Sequence, residues 1–305
     1  MKTVWLWLML AGVFICQETS AQVWLKTEYI GSSGFRDADN KKVGGKGDMK
    51  VIQGGVNIPV SMKMDENNHP TAWMVGLGAS YASMDNKDLS EYMESQIFNA
   101  QLAVSYIRPL SKRWSLLASA GVGLFMNTGS LAYARWDHVM GVGMAAAIWH
   151  LRDNLDLGMG VALNTSFGYP MVFPALFVDW RLEGRYMVNV SMMDGVEISG
   201  GMQLHKLLRL KLVSSMNGML AFVEHDGKDK IFTQQYITTG LQPELTITKS
   251  LSVPITVGLS AYRAAFYDDR TLKAMFKSMD REYDPHFSPA FYTSIATGQP
   301  HQNFY

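Results

Sequence analysis

Trp73-Met74-Val75-Gly76-Leu77-Gly78-Ala79-Ser80-Tyr81-Ala82 sets Trp73, Val75, Leu77, Ala79 and Tyr81 on one side of an extended chain and Gly76, Gly78, Ser80 and Ala82 on the other. Successive side chains of a strand point to opposite faces, so this is a period of two and not the 3.6 of a helix. The run is about ten residues long, which suits a tilted membrane-crossing strand better than the five or six usual in globular sheets.

The same alternation recurs outward from this stretch. Phe98, Ala100, Leu102, Val104 and Tyr106 are opposed by Asn99, Gln101, Ala103 and Ser105. Leu155, Leu157, Met159, Val161 and Leu163 are opposed by Asp156, Gly158, Gly160, Ala162 and Asn164. Short turns at 65–70, 109–112, 152–154, 183–184, 205–207 and 249–250 separate the runs on one side. On the other side the connections are mostly longer, at 31–48, 85–95, 127–136, 165–169, 224–230 and 267–288, with 193–195 a tight exception. Short turns on one rim and long loops on the other are the pattern of outer-membrane barrels, whose short turns lie in the periplasm. The reading is an all-β, antiparallel up-and-down transmembrane β-barrel of about 14 strands, with about 12 as the alternative count.

Alternation alone does not say which face meets water. A soluble sandwich would bury the apolar face, whereas a membrane barrel turns it to lipid. The second face is rich in Gly, Ser, Ala, Asn and Thr and poor in Lys and Glu, which suits a tapered barrel interior better than a watered sheet. Aromatics at the ends of runs (Trp73 and Tyr81, Trp114 and Phe125, Tyr106, Trp149, Trp180) read as girdles at the two membrane–water boundaries.

The first residues agree with export. Lys2, the apolar stretch 4–15 and the small-x-small end Thr19-Ser20-Ala21 are the parts of a secretory signal peptide, giving a leader over 1–21 and one barrel domain over 22–305. Cys16 would leave with the leader, and bulky Ile15 before it disfavours a lipoprotein anchor. The mature chain then has no thiolate for a disulfide or a structural zinc. With 27 basic and 27 acidic residues and no basic run, nothing points to nucleic acid.

Six ionisable residues gather on inward positions near the periplasmic rim: Asp179, Arg181, Arg185, Arg209, Lys211 and Glu244. They read as a salt-bridge network stiffening that end, or as a polar constriction of the kind that selects ions in channels. His286 and Ser288 flank Phe287, and spacing by two would share a strand face, so the pair is a candidate serine and base. It resembles the His-x-Ser pair of outer-membrane lipid-A deacylases and phospholipases, but Pro289 follows the serine and no orienting group is evident. The remaining histidines lack metal-ligand spacing, and no cofactor is expected. Residues 271–283 have helix-like composition within the last outer loop.

Thr27-Glu28-Tyr29-Ile30-Gly31-Ser32-Ser33-Gly34-Phe35, the Gly-Asp loop after it, Val56-Asn57-Ile58-Pro59-Val60 and the run at Trp73 resemble the outer-membrane barrel family called domain of unknown function 6268. The resemblance implies an outer-membrane address and no known activity, and brings no catalytic residues. The expected role is a non-enzymatic passive or assisted channel for a small solute or apolar molecule. A structural or surface-interaction barrel without a pore is the alternative, and a lipid hydrolase on Ser288 and His286 comes third. The expected partners are outer-membrane lipid, the barrel-assembly machinery and the solute.

Overall fold

The computed structural model describes residues 22–298 apart from 67–68, 90–92, 168–169, 183, 193–194, 249–250, 272 and 275–283. The leader at 1–21 and most of the helix-like stretch 271–283 lie outside the described residues. Fifteen strand segments follow one another: β1 (Gln22–Arg36), β2 (Lys42–Met64), β3 (Pro70–Lys87), β4 (Gln96–Ser111), β5 (Trp114–Met126), β6 (Val139–Arg152), β7 (Leu155–Asn164), β8 (Met171–Leu182), β9 (Tyr186–Ser191), β10 (Val196–His205), β11 (Leu208–His225), β12 (Lys228–Thr248), β13 (Leu251–Asp269), β14 (His286–Phe287) and β15 (Ala290–Thr297).

From β1 to β14 each segment pairs antiparallel with its sequence neighbour, and β15, which pairs with β13, returns to β1 through Leu25 opposite Thr297 and Tyr29 opposite Thr293. β14 and β15 both lie between β13 and β1, parted only by Ser288-Pro289. The wall is therefore a closed antiparallel barrel of 14 strands. Closure pairs the spanning part of the wall all the way round, which a membrane-crossing sheet requires.

The two faces are the reverse of a water-soluble sheet. Leu77, Val122, Met159, Leu176, Leu212 and Leu241 point outward and are each more than half exposed. Asn99, Ser115, Asp156, Asp179, Gln234 and Glu244 point inward and are buried. Leaving one such leucine in water forgoes about 1.5–3 kcal/mol, so a belt of them needs an apolar solvent. Trp114 stacks on Trp149 across β5 and β6, and Trp73 packs at a tilt against Tyr106 across β3 and β4, both near the short-turn rim. Phe125 departs from the expected girdle: it turns into the lumen and is 3% exposed, because odd positions of β5 face inward.

Two expected long connections are strand instead. β1 and β2 pair up to Arg36 and Lys42, leaving only the turn 37–41. β11 and β12 pair up to His225 and Lys228. Their turn is Asp226-Gly227, with φ of 54° and 68°. Positive φ at both central residues is the tight hairpin turn that suits strand twist, and Asp-Gly is its strongest sequence signal.

A candidate site in the barrel lumen

The lumen is organised in three levels, set by where inward positions of neighbouring strands meet. At the short-turn rim, the two-residue turns after β4 and β6 bring together the first inward residues of β5 and β7 and the last of β6. Ser115 Oγ lies 2.7 Å from His150 Nε2, and His150 Nδ1 lies 2.7 Å from Asp156 Oδ1. His150 and Asp156 are direct cross-strand partners, and the His150 backbone N–H donates to the Arg113 carbonyl at 2.9 Å. The ring of His69, from the β2–β3 turn, lies flat on that of His150 with centroids 4.1 Å apart. Arg181 reaches Asp156 Oδ2 at 3.6 Å and Asp179 at 3.4 Å.

Of the six charges predicted to cluster at this rim, the structure forms two groups and leaves one out. Asp179 and Arg181 join Asp156. Lys211 and Arg209 approach Glu244 at 2.5 and 3.9 Å, and Arg209 donates to Gln203 at 3.0 Å. Arg185 is exposed in the turn before β9, with its guanidinium 5.8 Å from the Tyr186 ring centroid.

Midway along the lumen a buried carboxylate is fully surrounded. Glu28 accepts from Lys26 at 2.7 Å, Gln53 at 3.0 Å, Tyr236 at 2.9 Å and Tyr292 at 2.6 Å. A charge taken out of water is costly unless its lone pairs are met, and here four donors from β1, β2, β12 and β15 meet them.

The outer half is filled. β10 begins at Val196 opposite Met216, so beyond Met216 the open edge of β11 has no neighbour in the wall among the described residues. That free part leans across the mouth. Asn99 Nδ2 on β4 donates to the Leu220 carbonyl at 2.7 Å, and Phe222 meets Phe125 of β5 edge to face. One side of the hairpin (Met219, Ala221, Val223) packs with Ile30, Met49, Val51, Met84 and Ile97. The other (Leu220, Phe222) packs with Phe125, Met140 and Phe167. Arg270, the first residue after β13, covers this second side. Its guanidinium stacks on Phe222 and donates to the carbonyls of Ser166 and Asp137 at 2.7 and 2.8 Å. Burial lowers its pKa from the ordinary guanidinium value, with Asp229 and Asp137 opposing the shift.

The pair proposed from sequence in the last loop is not joined in a serine–base contact. Ser288 Oγ accepts from Arg36 Nε at 3.2 Å; His286 Nδ1 donates to the Asp284 carbonyl at 2.9 Å, and its ring stacks on Tyr262. Sequence reasoning missed Ser115, His150 and Asp156. The signal was present in the tight turn after Arg152, which sets His150 against Asp156, but the diagonal to Ser115 needs the β5–β6 register. Among the described residues no group of three His, Cys, Asp or Glu could hold a metal ion.

A family model described as domain of unknown function (DUF6268) matches residues 17–298. No curated protein matches the chain. Among solved structures, the translocator domain of the autotransporter NalP from Neisseria meningitidis is 12% identical, with 96% of this chain and 92% of that one covered and a TM-score of 0.37. The COG4313 outer-membrane channel from Pseudomonas putida F1 is 9% identical, covering 93% and 96%, at 0.43. The Pseudomonas putida toluene transporter TodX is 8% identical, covering 95% and 91%, at 0.34. The closed pairing of this chain's own strands, rather than these likenesses, establishes the barrel.

Proposed function

The chain belongs to the family of domain of unknown function 6268, and from the barrel it forms we propose an outer-membrane conduit for a small apolar molecule, held shut by the β11–β12 hairpin. The reading places the exposed apolar belt in lipid, with the short-turn rim in the periplasm. Outer-membrane lipid and the barrel-assembly machinery are then its partners.

The observation that carries the conduit reading is the inward lining of the outer half. Met49, Met84, Met93 and Met219 are buried there beside Phe35 and Phe232. Methionine is flexible and polarizable and can repack around an apolar guest. The element that closes this region is one hairpin with a two-residue turn, a piece that can lift without breaking the wall below Met216.

The same packing favours a second reading, a barrel without a pore in which the outer half is a permanent plug. Cell fractionation and gel mobility with and without boiling test the address and the closed barrel. Planar-bilayer recording then separates the two roles. A conduit opens steadily when 219–231 is replaced by a short turn, whereas a structural barrel stays silent with and without that segment.

A further inference from the structure

Ser115, His150 and Asp156 stand in the order and at the distances of a nucleophile, its base and the group that orients the base. From this geometry we propose that the periplasmic rim of the lumen is a serine ester-hydrolase site, with Ser115 as nucleophile.

The chemistry follows from the two contacts. Asp156 is an acceptor, so the proton on the imidazole sits on Nδ1 and is donated to Asp156 Oδ1 across 2.7 Å. Nε2 is then the acceptor, and the Ser115 hydroxyl donates to it across 2.7 Å. That is the tautomer in which a histidine can take the serine proton. Arg181 stands 3.6 Å from the far oxygen of Asp156, a charge contact that favours the rotamer with Oδ1 toward His150. It acts as a positioning residue. A merely structural role does not need this arrangement. His150 alone already bonds the carboxylate, and a small apolar side chain at 115 would fill the same space with no polar group to accommodate.

The substrate class is set by the surroundings. Leu117 and Ile148 stand two residues further along the same inward faces as Ser115 and His150, and pack with Ile107, Ala72 and Phe177. An ester of an apolar carboxylic acid would lay its acyl group against these side chains. Ser115 Oγ attacks the acyl carbon as its proton passes to His150 Nε2. The ester C–O bond breaks and the alcohol leaves with that proton. Water then attacks the acyl-serine, returning a proton through His150 to Ser115 and releasing the acid, so ester and water give acid and alcohol.

Ser115 has no exposed surface and His69 lies on the base. The site is shut in this conformation, and the His69 ring is its cover. Substrate entry at this rim is independent of passage through the outer mouth, so a silent conductance record leaves the site untouched.

The test is covalent labelling of the purified, heat-modifiable barrel with an alkyl fluorophosphonate, followed by mass spectrometry of the Ser115 peptide. The expected result is one adduct on Ser115, formed faster in His69→Ala and lost in Ser115→Ala and His150→Gln. Hydrolysis of a p-nitrophenyl acyl ester should fall by about 10³–10⁴-fold in Asp156→Asn, which keeps the shape but reverses the tautomer preference. Heat-modifiability of each variant reports whether the barrel formed. A folded wild type and a folded His69→Ala that both leave Ser115 unlabelled would overturn the proposal.

Discussion

The guanidinium of Arg270 lies 4.0 Å from the centre of the Phe222 ring, so the first residue after one strand holds down a hairpin built from two others. Its two hydrogen bonds to backbone carbonyls tie the same point to the loops after β5 and β7. Three separate outer connections therefore converge on one side chain.

Arg270→Ala should release the hairpin. A desolvated cation over an aromatic ring and the charged hydrogen bonds beside it together contribute about 2 kcal/mol, or roughly thirtyfold in the open population. Hydrogen exchange at 217–225 should rise, and opening events in a planar bilayer should become more frequent. Arg270→Lys keeps the charge but loses the planar fork, and should fall between the two. Unchanged exchange would show that the apolar packing alone holds the hairpin.

Glu28→Ala should lower the temperature at which the barrel loses its fast gel mobility. The substitution strands Lys26 and two tyrosine hydroxyls in the lumen, a loss of about 3–5 kcal/mol for breaking a buried ion pair from one side. Tyr292→Phe removes one of the four donors and should cost about 1–3 kcal/mol. Equal midpoints for all three proteins would mean that the lumen readily admits water at this level.

Neighbouring positions on β4 separate the two faces. Leu102 points outward and Gln101 inward, and both are exposed on their own side. Leu102→Arg should cost about 2–4 kcal/mol near the middle of the bilayer and reduce the folded fraction in membranes. Gln101→Arg meets the lumen instead and should leave folding nearly unchanged. The reverse order would mean that the faces are assigned wrongly.

Acid should loosen the loop at 127–138. Burial lowers the pKa of His138 from its ordinary 6.5, Arg135 and Arg270 add to the effect, and Asp137 opposes it. Above pH 6.5 the ring is neutral whether the loop is docked or free, so nothing changes. Below 6.5 the undocked loop takes up the proton first, and docking weakens as the pH falls toward the lowered value. Hydrogen exchange in this loop, corrected for intrinsic rate, should be faster at pH 5.5 than at 7.5, and His138→Asn should remove the difference.

Much of the wall was legible before any coordinates. The alternation at Trp73 to Ala82 fixes which residues face out, and the outward positions of Trp73, Leu77, Leu102 and Met159 are those the period of two assigns. The hairpin at Asp226-Gly227 was also legible, through its turn dipeptide, yet it reads as loop if the polar residues around it are weighed by composition alone. Phe125 could not be placed from sequence, since an aromatic at a strand end suits a girdle and a plug equally.

Alternation of side chains, run length and turn chemistry are local properties of the chain, and they determined an antiparallel barrel and the direction of nearly every strand residue. Contacts across the lumen are different in kind. Asn99 meets Leu220 over a separation of 121 residues, and Glu28 meets Tyr292 over 264. Such pairs depend on closure, register and the lean of one hairpin, which no local pattern encodes. The same holds for Ser115, which reaches His150 only on a diagonal between strands whose pairing the whole barrel sets.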